Sequence, residues 1–153
     1  VHKDYDAAFR HLMEGAGGGT RALAWVYPFV VKCATERFQA LSQGIRSLAN
    51  ALETRSEMSR KPLSSQCDEA ARSLRSLQRM EAERLQLVAA HHAEQGRLIV
   101  AKQPGPGAPQ RQQKEVDALV ANVADYRKQL GKTAQEIDEL VSELRYAAAD
   151  MRS

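Results

Sequence analysis

The chain has 153 residues, 43% of them hydrophobic and 27% charged, which suits one folded domain with an apolar core and excludes a disordered chain. Lysine plus arginine outnumber aspartate plus glutamate by only 22 to 19, so an acidic partner is permitted but not demanded. Cys33 and Cys67 lie in helical patterns without metal-ligand or CxxC spacing, which excludes a disulfide framework and leaves two reduced, small hydrophobes.

Aromatic residues are only 5%, while Ala, Leu, Gln, Glu, Arg and Ser abound, a helix-forming composition. The chain opens on Val1 and stops in mid-pattern at Met151-Arg152-Ser153, so it reads as a fragment of a longer protein. The first predicted helix, residues 2–14, places Tyr5, Phe9, Leu12 and Met13 on one face. Gly15-Ala16-Gly17-Gly18-Gly19 ends it, and Thr20 is placed to cap the next helix.

The second predicted helix, residues 20–58, carries a heptad seam with one stutter: Leu23, Tyr27, Val30, Ala34, Phe38, Leu41, Ile45, Leu48 and Leu52. Pro28 sits within it, and a kink is expected there. The longest apolar stretch of the chain, Ala22 to Ala34, is too short for a membrane span. The third predicted helix, residues 65–103, has Asp68 and Glu69 in its first turn and apolar positions at Cys67, Ala70, Leu74, Leu77, Leu85, Val88 and Ile99. Its seam is broken by Glu81, His92 and Gln95, and prolines 104, 106 and 109 end it. The fourth, residues 110–151, has the cleanest seam, from Val116, Leu119 and Val123 through Tyr126, Leu130, Ala134, Ile137, Val141, Leu144 and Ala148 to Met151. Three helices of close to 40 residues, each roughly 55–60 Å long, with short connections imply one elongated, antiparallel, all-α bundle or coiled coil over residues 1–153.

Few positions resemble a reaction centre. The glycine run resembles a phosphate loop, but no strand precedes it and no Lys-Ser/Thr pair follows, so a hinge is the better reading. His91 and His92 are adjacent on a helix and point about 100° apart, too far to share a metal ion. No nucleophile is paired with a base, so the sequence predicts no enzyme, no metal and no cofactor. The basic residues are better organised. Arg72, Arg75 and Arg79 form one stripe at i, i+3, i+7, and Arg127, Lys128 and Lys132 form a second cluster. Such stripes attract anionic lipid head groups, or are solvated faces balanced by residues such as Glu81 and Glu83. Nucleic acid is not expected, because no aromatic is interleaved for stacking and no groove-reading motif appears. Trp25, Val26, Phe29 and Val31 lie off the seam and make the second helix apolar nearly all round, as a dimer or partner interface would require.

One stretch of the sequence resembles the F-BAR family of membrane-remodelling domains. Asp4-Tyr5-Asp6-Ala7-Ala8-Phe9 precedes Glu14-Gly15, followed by Phe29, Lys32 and Gly44-Ile45-Arg46-Ser47-Leu48-Ala49. Met80-Glu81, Leu85 and His91-His92-Ala93-Glu94 extend the likeness, which covers residues 4–100. Ala34, Phe38 and Leu41 depart from it, standing where arginine, glutamate and tyrosine are expected. The resemblance implies a homodimeric, cytoplasmic scaffold peripheral at membranes, contacting anionic lipid through Arg72, Arg75, Arg79, Arg127, Lys128 and Lys132. The rival expectation is a spectrin-like protein–protein adaptor with cytoskeletal or trafficking partners.

Overall fold

The computed structural model describes residues 20–59, 63–102 and 109–151, with side chains for all of these except 20–27, 30 and 109–112. They form three helices: α1 (Thr20–Met58), α2 (Leu63–Ala101) and α3 (Pro109–Asp150). The protein is all-α, and each helix begins and ends within two residues of its predicted limits. The expected helix over 2–14 and the glycine run both fall outside the described residues. Pro109 opens α3, where its missing N–H costs no intrahelical bond. α1 is continuous through Pro28, which lies on an exposed face.

The helices pack as two compact units, each drawing on all three. Unit 1 takes α1 up to Ala34 together with Arg84–Lys132, and unit 2 takes Thr35–Glu83 with Thr133–Ser153. In unit 1, Ala34 and Val88 are buried against each other, with Val31 and Leu130 packed on them. Leu119 and Val123 of α3 are buried as well, as their seam positions predict. His91 and His92 are also buried, their rings 5.8 Å apart and tilted by 45°. The predicted break in the α2 seam is therefore not an opening to solvent at His92.

Unit 2 has a seam of small residues. Ser42, Ala49 and Ser56 of α1 are buried at i, i+7 and i+14, as are Cys67, Ala70, Ala71 and Leu74 of α2 and Ile137 of α3. The Ser42 hydroxyl accepts a 2.6 Å bond from Gln78 Nε2. The Ser56 hydroxyl donates to the Ser64 carbonyl at 3.1 Å and lies 2.9 Å from the Ser64 hydroxyl. Partner numbers fall along α2, from Gln78 to Arg75 to Ser64, as they rise along α1, from Ser42 to Glu53 to Ser56, so the two helices are antiparallel in this unit.

This corrects the predicted seam. Leu41 and Leu48, expected to be buried, are 58% and 53% exposed, while Ile45 and Leu52 are half-buried. Serine hydroxyls satisfied across the interface cost little to bury, and small side chains let helix axes approach to the short end of their usual separation. A count of hydrophobic residues alone misses such a seam.

Candidate functional site

One concavity of the described residues lies in unit 2. Arg72, Ser73, Arg75, Ser76 and Arg79 of α2 and Leu140 of α3 line an open depression of about 480 Å³. At 3.6 residues per turn, Arg72, Arg75 and Arg79 share one helix face, and Ser73 and Ser76 stand between them. All three arginines are exposed, whereas both serines and Leu140 are half-buried.

The three arginines are not equivalent. Arg75 is clamped to α1: its Nε donates to Glu53 Oε1 at 2.9 Å and its Nη2 to Glu53 Oε2 at 2.7 Å. Nη2 also reaches Asn50 Oδ1 at 3.1 Å. This is the planar fork that guanidinium and carboxylate form together, which lysine cannot reproduce. The hydrogen bonds from Arg75, aided by its charge, hold the Glu53 carboxyl below its ordinary range despite some desolvation. The same bonds raise the Arg75 guanidinium. Arg79 Nη2 makes only a long, 3.5 Å contact with the Ser76 hydroxyl one turn back. Arg75 is thus fixed, while Arg72 and Arg79 flank it with their charges facing solvent.

The other predicted positions are dispersed. Arg127, Lys128 and Lys132 are exposed on the α3 segment of unit 1. Asp125 beside them accepts a 2.7 Å bond from Gln129 Nε2. Phe29 is 66% exposed, whereas Val31 is half-buried against Ala34 and Val88, within its own unit. The side chains of Trp25 and Val26 lie outside the described residues. The described residues contain no group of three or more His, Cys, Asp or Glu able to hold a metal ion, and no helix long and apolar enough to cross a membrane. Asn50, Glu53, Ser73 and Ser76 escaped the sequence reading. The short Ser59-Arg60-Lys61-Pro62 break in the sequence, which makes the two flanking helices antiparallel neighbours, was the signal that could have set α1 carboxylates opposite the arginine stripe.

A family model described as DNA repair REX1-B matches residues 1–95, more than half of the chain. The chain belongs to the DNA repair REX1-B family. No curated protein and no solved structure matches it. The REX1-B match includes all of α1 and α2 through Gln95, hence Asn50, Glu53 and the five α2 residues of the depression. Arg127, Lys128, Lys132 and Leu140 lie beyond it.

Membership in the REX1-B family overturns the F-BAR resemblance, since the matched region spans nearly all of residues 4–100 and no BAR-type family matches. The membrane-curvature scaffold falls with it, as do the endocytic and cytoskeletal associations and the spectrin-like adaptor. The physical reason is that the likeness rested on long-helix periodicity and a short aromatic opening before glycine. Any helix packed lengthwise on others needs that periodicity, so it does not distinguish one helical family from another.

Proposed function

We propose that this chain acts in DNA repair as a non-enzymatic helical component that works through side-chain surfaces. The observation that carries the reading is the REX1-B family match over residues 1–95. The handling of its acidic groups supports the non-enzymatic half. Asp117, Asp125 and Glu139 each accept a bond from a glutamine four residues away on the same helix, at 2.7, 2.7 and 2.9 Å. Glu94 pairs with Arg97 at 2.8 Å, and Glu53 with Arg75 at 2.7 Å. Carboxylates tied up in surface pairs stabilise helices; a general acid or base instead stands in a cleft beside a reacting group.

Two measurements test the two halves of the reading. Cells deprived of the protein are expected to survive ultraviolet irradiation less well than cells in which it is restored, and equal survival would remove the repair role. Purified protein incubated with irradiated plasmid, magnesium and ATP is expected to leave the DNA chemically unchanged. Strand scission or lesion removal by the protein alone would refute the non-enzymatic half.

A further inference from the structure

We propose that the depression between α2 and α3 in unit 2 grips the phosphates of a nucleic-acid backbone, with Arg72 and Arg79 as the contacting cations and Arg75 as the fixed point between them. The proposal rests on the DNA-repair reading above and adds to it a site and a ligand.

The donors suit the ligand. Arginine is the side chain best matched to phosphate, because its planar fork of N–H groups meets two oxygens at once. Serine hydroxyls are common second donors to backbone oxygens. Here three arginines and two serines line one open concavity, and no carboxylate lines it with them. Glu53 of α1 is engaged by Arg75 Nε and Nη2, and these bonds, with that from Nη2 to Asn50 Oδ1, do not use Nη1. The clamp has a second effect. It fixes one guanidinium on the helix surface before any ligand arrives, which lowers the ordering cost of binding.

Shape and spacing point to a polymer. From Arg72 to Arg79 the helix rises about 10 Å, so the cations form a line and do not converge on one anion. The floor is the half-buried Leu140, and the depression is open rather than enclosed. A linear polyanion fits such a track better than a small phosphorylated metabolite, which favours a closed pocket. The lack of interleaved aromatics, which argued against nucleic acid from the sequence, bears only on the stacking of unpaired bases. Contacts to backbone phosphates need neither an aromatic nor a groove-reading motif and carry no sequence preference. Binding should therefore be weak, sequence-independent and strongly salt-dependent.

The test is fluorescence anisotropy of the full chain with a labelled duplex of about 25 base pairs, titrated across salt concentrations. Each phosphate contact contributes about −0.9 to the slope of log affinity against log salt. Replacing both flanking arginines (R72Q/R79Q) is expected to make the slope shallower by about 2 and weaken binding about 10- to 30-fold at 0.15 M salt. R127Q/K128Q removes the same charge from unit 1 and is expected to leave affinity within about two-fold. Helical content by circular dichroism accompanies every variant, and the charge-keeping R72K/R79K serves if R72Q/R79Q fails to fold; it is expected to keep the wild-type slope.

Three results would overturn the proposal. One is the absence of salt-sensitive duplex binding by the wild type. Another is an equal loss in R127Q/K128Q, which would reduce the effect to net charge. The last is arginine-dependent binding to phosphatidylserine vesicles with none to duplex. Any of these with survival after irradiation still dependent on the protein removes the site and leaves the repair role standing. Unchanged survival removes the repair role itself.

Discussion

Arg75 and Glu53 show how a single pair joins local stability to the candidate site. Each is nearly half exposed, at 47% and 44% of the side chain, so the bridge is screened by solvent and its net contribution is small. Its direction with pH is nonetheless fixed. The Glu53 carboxyl is held below its ordinary 4.5 by the Arg75 hydrogen bonds, so the folded state binds that proton less readily than the unfolded chain. The stabilisation is therefore fully present above about pH 4.5 and is lost as pH falls through the depressed folded value. Urea unfolding of the wild type and E53Q should give midpoints that differ near neutrality and converge well below pH 4.5. A difference that persists unchanged in acid would show that Glu53 acts through packing and not through its charge.

At the scale of the helix, the three long elements were legible because their period and punctuation agree: glycines before Thr20, the Arg60-Lys61-Pro62 break, and the prolines near 104–109. The α3 seam was legible in detail, since Leu119, Val123 and Ile137 are buried and of its other described positions only Ala148 is exposed. The C-terminal half of α1 was not, because its buried face is written in serine and alanine while leucines lie outside. Of the candidate site, the arginine stripe could be read from spacing along one helix. Its clamp could not, because Arg75 meets Asn50 and Glu53 only through the packing of α2 on α1. The seam's position has a measurable consequence. Ala49 is fully buried and faces a close-packed partner helix, so A49L should overpack the interface and cost about 1–3 kcal/mol. L48A, one position away on a half-exposed face, should cost well under the roughly 2–5 kcal/mol of a buried leucine. Urea denaturation of both variants decides it, and the opposite order would return the seam to the leucines.

At the scale of the whole molecule, the family match ends at residue 95, and α3 lies wholly beyond it. The buried side chains of α1 and α2 in unit 2 are Ser42, Ala49, Ser56, Cys67, Ala70, Ala71 and Leu74, of which all but Leu74 are small and bury little apolar area each. Further large buried groups come from α3, with Ile137 in unit 2 and Leu119 and Val123 in unit 1, and Leu130 packs against the Ala34–Val88 core. Burial of a side chain of that size contributes about 1.5–3 kcal/mol relative to exposure. A two-helix hairpin lacking four such contributions has little to set against its conformational entropy. Residues 1–102 alone should therefore show less helix per residue than the full chain and a broad, non-cooperative thermal transition by circular dichroism. The full chain should melt cooperatively, and adding α3 as a separate peptide should restore part of the lost helix. A truncated chain that melts as sharply as the whole would mean that α1 and α2 form a self-sufficient hairpin. In that case α3 would contribute Leu140 to the depression without being needed for the fold.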